Sequence, residues 1–172
     1  MPSTYTLISS NVLGSSAASV TFSAIPSTYT DLVVRLSLRN DRAVTDGTFI
    51  MTVNNNTSSI YSYTYVQGNG SAASSARSSA GTSLTDFTLV GSSATSNTFS
   101  SLEIYIPSYT ASQNKPISTF GASETNAAAI KLNAIASLAA TTAAISSIEI
   151  ANNSTWQFVS GSSFYLYGIS KS

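Results

Sequence analysis

The sequence contains no histidine and no cysteine, and only seven acidic and seven basic residues among 172. Enzymes usually draw their acids, bases and nucleophiles from His, Cys, Lys and carboxylates placed in a cleft. Without cysteine no disulfide can form either. These absences favour a structural or binding protein over an enzyme, and they predict no catalytic residue, no cofactor and no metal site.

Charge is scarce as well. Charged residues make up 8% of the chain and the net charge is zero, whereas about 25% is usual in globular domains. Nucleic-acid binding rests on clustered Lys and Arg, and the nearest such cluster, Arg35, Arg39 and Arg42, is flanked by aspartates. We expect a solvated face there and no nucleic-acid partner. Because free proteins usually keep their net charge away from zero, near-neutrality fits a molecule that works in an assembly.

The remaining polar residues show no catalytic spacing. Nothing in the sequence pairs two carboxylates across a cleft, as a glycosidase requires. A serine nucleophile would need a base, and Lys115, Lys131 and Lys171 stand in no Ser-x-x-Lys arrangement. The segment 40–47 offers oxygen ligands but lacks the alternating ligands and closing glutamate of a calcium-binding EF-hand. We therefore predict a structural turn at that segment.

The length and the 42% hydrophobic content predict one folded domain over residues 1–172, burying about 70% of its unfolded surface. The first 13 residues lack the basic and apolar regions of a signal peptide, so none is expected. The apolar-leaning segment 126–150 is interrupted by polar residues, so no membrane span or membrane partner is expected.

Alternation of apolar and polar residues with a period of two is the dominant pattern, and it predicts β-strands. Three segments show it most clearly, with these side chains predicted to face inward: Leu32, Val34, Leu36 and Leu38 in 31–39; Leu102, Ile104 and Ile106 in 98–107; Val20, Phe22 and Ala24 in 19–25.

Weaker alternation predicts eight further strands, at 5–9, 48–53, 60–66, 84–90, 116–122, 145–150, 156–159 and 163–169. Gly, Asn, Asp and Pro punctuate the intervals between strands, which are too short for crossover helices. The sequence therefore predicts an all-β fold, an antiparallel β-sandwich of jelly-roll-like type.

Two segments are harder to interpret. Residues 71–83 (SAASSARSSAGTS) are rich in small residues and predict a long mobile loop. Residues 126–144 are rich in alanine, the best helix former. However, Leu132, Ala134, Ala136 and Leu138 share a parity with Ile130, as in a strand, with Ile135 out of phase. A strand is the preferred interpretation here and a helix is the alternative.

Tyrosines suggest where a partner could bind. Tyr61, Tyr63 and Tyr65 alternate along one face of a predicted strand, and tyrosine gives a large contact area at low entropic cost. They could instead pack over the edge of the core with their hydroxyls in water. Tyr165 and Tyr167 pose the same question.

The candidate contact surface consists of these five tyrosines together with two arginines, Arg35 and Arg39. By contrast, Trp156 and Phe158 are predicted to fill the core.

Three stretches carry a resemblance to known proteins. They are STYTLISSNVLGSSAASVTFSAIPSTYTDLVVRLSLR at 3–39, SNTFSSLEIYIPSYTASQNKPISTFGASET at 96–125, and FVSGSSFYLYGISKS at 158–172. In these stretches the chain resembles a family of small virion proteins of tailed bacteriophages, well represented in cyanophages. The stretches cover most of the chain, and none of them is a catalytic motif.

The resemblance implies a jelly-roll module on the outer surface of a phage particle. Its implied role is that of a head decoration, or cement, protein that binds the major capsid protein and stabilises contacts between capsomers, as a homotrimer. The alternative is a tail fibre or adaptor module that binds a receptor glycan. That alternative would expect an exposed aromatic platform such as Tyr61, Tyr63 and Tyr65.

Overall fold

The computed structural model describes residues 4–125 and 131–170. Within them the chain forms twelve β-strands and no helix, and all pairings between these strands are antiparallel. The strands are β1 (Tyr5–Val12), β2 (Ser19–Phe22), β3 (Asp31–Ser37), β4 (Asp46–Val53), β5 (Tyr61–Gly68), β6 (Ala73–Gly81), β7 (Leu84–Val90), β8 (Ser101–Ile106), β9 (Lys115–Ser123), β10 (Lys131–Ala139), β11 (Ile148–Asn152) and β12 (Ser163–Ile169).

The strands form two sheets. The larger has eight strands in the order β1-β12-β3-β8-β9-β10-β5-β6, and the smaller has four in the order β2-β11-β4-β7. The subset β1-β12-β3-β8 with the small sheet has the strand order of an eight-stranded jelly roll. The pairs β5–β6 and β9–β10 are insertions that widen the larger sheet. The predicted antiparallel β-sandwich is confirmed.

The alternating residues of β3 and β8 form the centre of the core, as predicted. Leu32, Val34, Ile104 and Ile106 have no exposed surface. The prediction for 19–25 is wrong at its end, where Ala24 is exposed and Ile25 is buried. Ala24 adopts a left-handed conformation with φ of 52°, so the chain turns there and the alternation shifts by one residue.

Strand β7 is covered on both faces. One face contributes Phe87 and Leu89 to the core. The other packs against the inserted strands β9, β10 and β5, where the Thr88 hydroxyl lies 3.1 Å from the Ser123 hydroxyl. The widened sheet therefore wraps around the edge of the smaller one, and its opposite, outer face is left uncovered.

The predicted mobile loop at 71–83 is wrong. Most of it is β6, which pairs with β5 along its length and ends the large sheet. Its side chains are almost all Ser, Ala and Gly, which are weak strand formers. Backbone hydrogen bonding to β5 decides its conformation, because strand propensity yields readily to tertiary context.

In the segment 126–144 the preferred strand is confirmed as β10 and the helix is wrong; residues 126–130, including Ile130, lie outside the described range. The predicted apolar face is the outer one. Leu132 is 52% exposed, whereas Ile135 is buried. Asn133 and Ser137 share the inner face with Ile135, because β10 lies over β7 and not over the apolar centre of the sandwich.

The segment predicted as a strand at 156–159 forms only isolated bridges, from Phe158 to Ala17 and Asn40. Phe158 does fill the core, with edge-to-face contacts to Phe49 and Phe164. Trp156 does not, since it is 36% exposed. The core prediction is therefore confirmed for Phe158 and wrong for Trp156.

A buried lysine joins two loops beside β9. Lys115 is fully buried, and its Nζ donates to the backbone carbonyls of Ala111, Gln113 and Thr141. Burial lowers the pKa of Lys115. These bonds satisfy the carbonyls of both loops at the end of the inserted strands.

Candidate interaction surface

The tyrosines of β5 lie on the inner face of the large sheet. Tyr61 is buried, and its hydroxyl donates to the Asn56 carbonyl (2.8 Å) and accepts from the Val53 N–H (3.0 Å). Tyr63 and Tyr65 are half-buried against the core. All three tyrosines therefore pack over the edge of the core, with the hydroxyls of Tyr61 and Tyr63 bonded to protein groups and not left in water. Tyr61 is too deeply buried to contact a partner, and a contact role for Tyr63 and Tyr65 stays a prediction. The exposed tyrosine platform expected of a glycan-binding module is absent from β5.

Tyr63 has an unusual ionisation. Its hydroxyl donates a short hydrogen bond to Asp86. Burial, and then this bond and the Asp86 charge, raise the pKa of Tyr63 from 10.0 to about 12. The folded protein therefore holds the phenol proton more tightly than the unfolded chain does.

We expect this proton to make the free energy of unfolding fall as the pH rises from 10 towards 12. In that interval the unfolded chain releases the Tyr63 proton while the folded protein retains it, and the linkage favours unfolding. Urea denaturation at a series of pH values tests this. The stability difference between wild type and Tyr63→Phe should shrink across the interval, and a pH-independent difference would contradict the expectation.

Arg39 was predicted to belong to the contact surface, but the structure buries it elsewhere. It is 9% exposed, and its guanidinium donates to the backbone carbonyls of Ser92, Ala94, Thr95 and Thr98 at 2.8–3.2 Å. The predicted solvated face is wrong for this arginine. Arg39 instead holds the loop between β7 and β8 in place, because one guanidinium group has five N–H donors and can hydrogen-bond to several carbonyls at once.

The other three predicted contact residues do lie together. Arg35 on β3 and Tyr165 on β12 are direct cross-strand partners, and Tyr167 stacks beside Tyr165 with ring centroids 6.5 Å apart. All three project from the outer face of the large sheet. Arg35 also pairs with Glu103 on β8, with Nη2 and Oε2 2.9 Å apart, and both side chains are about half exposed.

These residues belong to one row that crosses the whole outer face. Because directly paired residues point to the same side of a sheet, the row can be followed through consecutive pairings on all eight strands. Its members, from β1 to β6, are Ser10, Tyr165, Arg35, Glu103, Phe120, Ala134, Val66 and Ser75.

Exposed apolar side chains are concentrated on the same face. The described residues include seven exposed large hydrophobic side chains. By pairing register six of them are on the outer face, and the seventh is Trp156. The six are Tyr5, Leu7, Val12, Val66, Phe120 and Leu132.

Shallow depressions line the outer face on either side of Phe120. One of about 570 Å³ lies towards Arg35 and Tyr165. A second of about 460 Å³ lies towards Tyr105 and Ala134. Glu103 and Phe120 border both, so they form a low ridge between two apolar troughs. A surface of this shape can receive another broad surface.

Within 4–125 and 131–170, no three His, Cys, Asp or Glu side chains gather as metal ligands. No described segment is a helix long and apolar enough to span a membrane.

No family model, curated protein or solved structure matches this chain.

Sequence reasoning missed Phe120, the 58% exposed centre of the surface, although a signal was present. Phe120 shares its parity in β9 with Pro116 and Ser118, opposite the buried Ile117. An aromatic residue on the polar parity of a strand indicates an exposed apolar side chain, and exposed apolar patches often mark interaction sites.

Proposed function

We propose that the protein is a structural component of a phage particle, a non-enzymatic decoration protein that attaches to the outside of the head and stabilises contacts with the major capsid protein. One observation carries the assembly role: six of the seven exposed large hydrophobic side chains among the described residues share one sheet face. Exposed apolar residues scattered singly are ordinary, but their concentration on one sheet face is typical of an interaction surface.

The chemistry of the surface supports the same proposal. The outer face carries few charges, and the Arg35–Glu103 pair neutralises itself at the centre. Interface cores are enriched in aromatic residues and arginine, and the row supplies Tyr165, Arg35 and Phe120. Residues 3–39, 96–125 and 158–172 resemble tailed-phage virion proteins, and this resemblance supports a phage particle as the assembly to which the protein belongs.

Location on the head is tested by the copy number of the protein in purified particles, measured by quantitative mass spectrometry against the major capsid protein. A decoration protein should be present in hundreds of copies at a fixed ratio to the shell subunit. A few copies to a few dozen would overturn the head location and favour the tail module.

Use of the outer face is tested by binding to particles. Phe120→Asp places a charge at the centre of the face and should weaken rebinding to particles stripped of this protein by at least tenfold. Trp156→Asp is the matched control, because Trp156 is exposed but lies off the outer face. Equal loss in both variants would contradict a specific role for the face.

A further inference from the structure

We infer that the outer face of the large sheet binds the outer face of a second copy of this chain, through a two-fold axis parallel to the strands that exchanges Arg35–Glu103 ion pairs between copies. This rests on the proposed function and deepens it: the protein attaches to the head as a dimer joined through this face, so a variant that breaks the dimer also weakens attachment through lost avidity. It rests on the order of the side chains in the row and on their charges.

The central part of the row is chemically palindromic. Its four residues are, in order, an aromatic, a cation, an anion and an aromatic: Tyr165, Arg35, Glu103 and Phe120 on the adjacent strands β12, β3, β8 and β9. A two-fold axis parallel to the strands, passing between β3 and β8, reverses the row. It places Arg35 of one copy over Glu103 of the other, and Tyr165 over Phe120.

Arg35 and Glu103 can form hydrogen bonds to a second copy in addition to the ion pair within one copy. In a single copy, Nε and Nη2 of Arg35 both approach the same oxygen, Oε2 of Glu103, at 3.1 and 2.9 Å. A guanidinium has five N–H donors and a carboxylate accepts at two oxygens. Four alternating charges at the centre of a dimer can therefore hydrogen-bond across the interface as well as within each copy.

The neighbouring row fits the same operation. Val33 is 1% exposed although it lies on the outer face, because its cross-strand partners Tyr105 and Tyr167 cover it. The axis places Val33 of one copy over Tyr105 of the other, and Tyr105 over Val33. Parallel strand directions also suit the aligned packing of two sheets, whose mean angle is about 30°.

The face is large enough for a stable dimer. Eight strands spaced about 4.8 Å apart and about seven residues long cover roughly 38 by 23 Å, or about 870 Å². A stable interface buries about 800 Å² on each partner, so covering most of this face is sufficient. A two-fold contact closes at two copies, whereas the trimer implied by the sequence resemblance would require a different contact.

The test uses charge reversal and analytical ultracentrifugation of the full chain. Wild type at 50 μM should sediment with twice the monomer mass of 17.8 kDa. Arg35→Glu and Glu103→Arg should each be monomeric, because each places like charges over one another. An equimolar mixture of the two variants should recover the dimer, since the new glutamate at position 35 of one copy would then face the new arginine at position 103 of the other. That recovery cannot come from an ion pair within one copy.

Circular dichroism checks that both variants are folded, as expected because an exposed ion pair contributes little to stability. Trp156→Ser, off the face, should remain dimeric. A monomeric or trimeric wild type, single variants that still dimerise, or a mixture that stays monomeric would overturn the inference. Failure of the dimer and failure of the proposed function give different results. If the protein is monomeric but abundant on particles, only the dimer is contradicted. If it is dimeric but missing from particles, only the role in the virion is contradicted.

Discussion

Replacing Arg39 by methionine should lower the free energy of unfolding by about 3 kcal/mol, because a buried acceptor left without its donor costs about 1–3 kcal/mol. Methionine retains much of the apolar stem but none of the five donors. The carbonyls of Ser92, Ala94, Thr95 and Thr98 would lose their common donor. The bond to Ala94 is buried and the other three are partly buried, so the loop between β7 and β8 should loosen as well.

Urea denaturation monitored by circular dichroism measures this effect, and Arg35→Met is the matched control. Arg35 lies on β3, shortly before Arg39 in the chain, but it is exposed and pairs with a surface carboxylate. Its replacement should cost less than about 1 kcal/mol when both variants and wild type are compared at a protein concentration low enough to keep the chain monomeric. If the two variants lost the same stability, the buried carbonyl contacts of Arg39 would not be the cause.

Gly91→Ala should be nearly as damaging, with an expected loss of about 3 kcal/mol, at the upper end of the cost of overpacking. A Cβ atom at position 91 would lie 2.2 Å from the Val44 carbonyl oxygen and 3.0 Å from that of Arg42. These are backbone atoms that cannot turn aside as a side chain could. The Gly91 and Ser92 N–H groups also donate to this turn, at the Thr45 and Arg42 carbonyls.

Thermal denaturation compares this variant with Gly14→Ala. A Cβ atom at Gly14 meets nothing within 4 Å, so both variants add the same methyl group and only one of them adds a clash. Gly14→Ala should change the free energy of unfolding by less than about 0.5 kcal/mol. An equally stable Gly91→Ala would show that the turn at 42–45 can move away from β7.

The sequence correctly predicts the strands in which buried and exposed residues alternate strictly. β3 and β8 lie in the middle of the large sheet, so their apolar parity and their inner face coincide. β10 breaks this rule because the surface beneath it is β7, which offers polar partners such as the Asp86 carbonyl to Asn133. The sequence of β6 shows no strand pattern, because β6 is held to β5 by backbone hydrogen bonds and its small side chains show no alternation of apolar and polar residues.

The candidate site was predictable only in part. Tyr165, Tyr167 and Arg35 could be assigned to the outer face because β12 and β3 have clear parity. Tyr61 and Arg39 could not be excluded from the contact surface by sequence. An aromatic or arginine side chain gives the same sequence pattern whether its polar end contacts water or hydrogen-bonds to a buried carbonyl. The row itself depends on strand order, which brings residues 35, 103, 120 and 165 together.

The position of β12 between β1 and β3 sets the timing of folding. β1 and β3 have emerged from the ribosome long before residues 163–169, the strand that must join them. Until then both present open edges, which readily pair with other chains. Closing a gap of more than a hundred residues is also slow, because distant contacts delay folding. Between the synthesis of β1 and that of β12, the nascent chain therefore carries two strand edges that can pair with other chains, and both are covered when β12 enters the sheet.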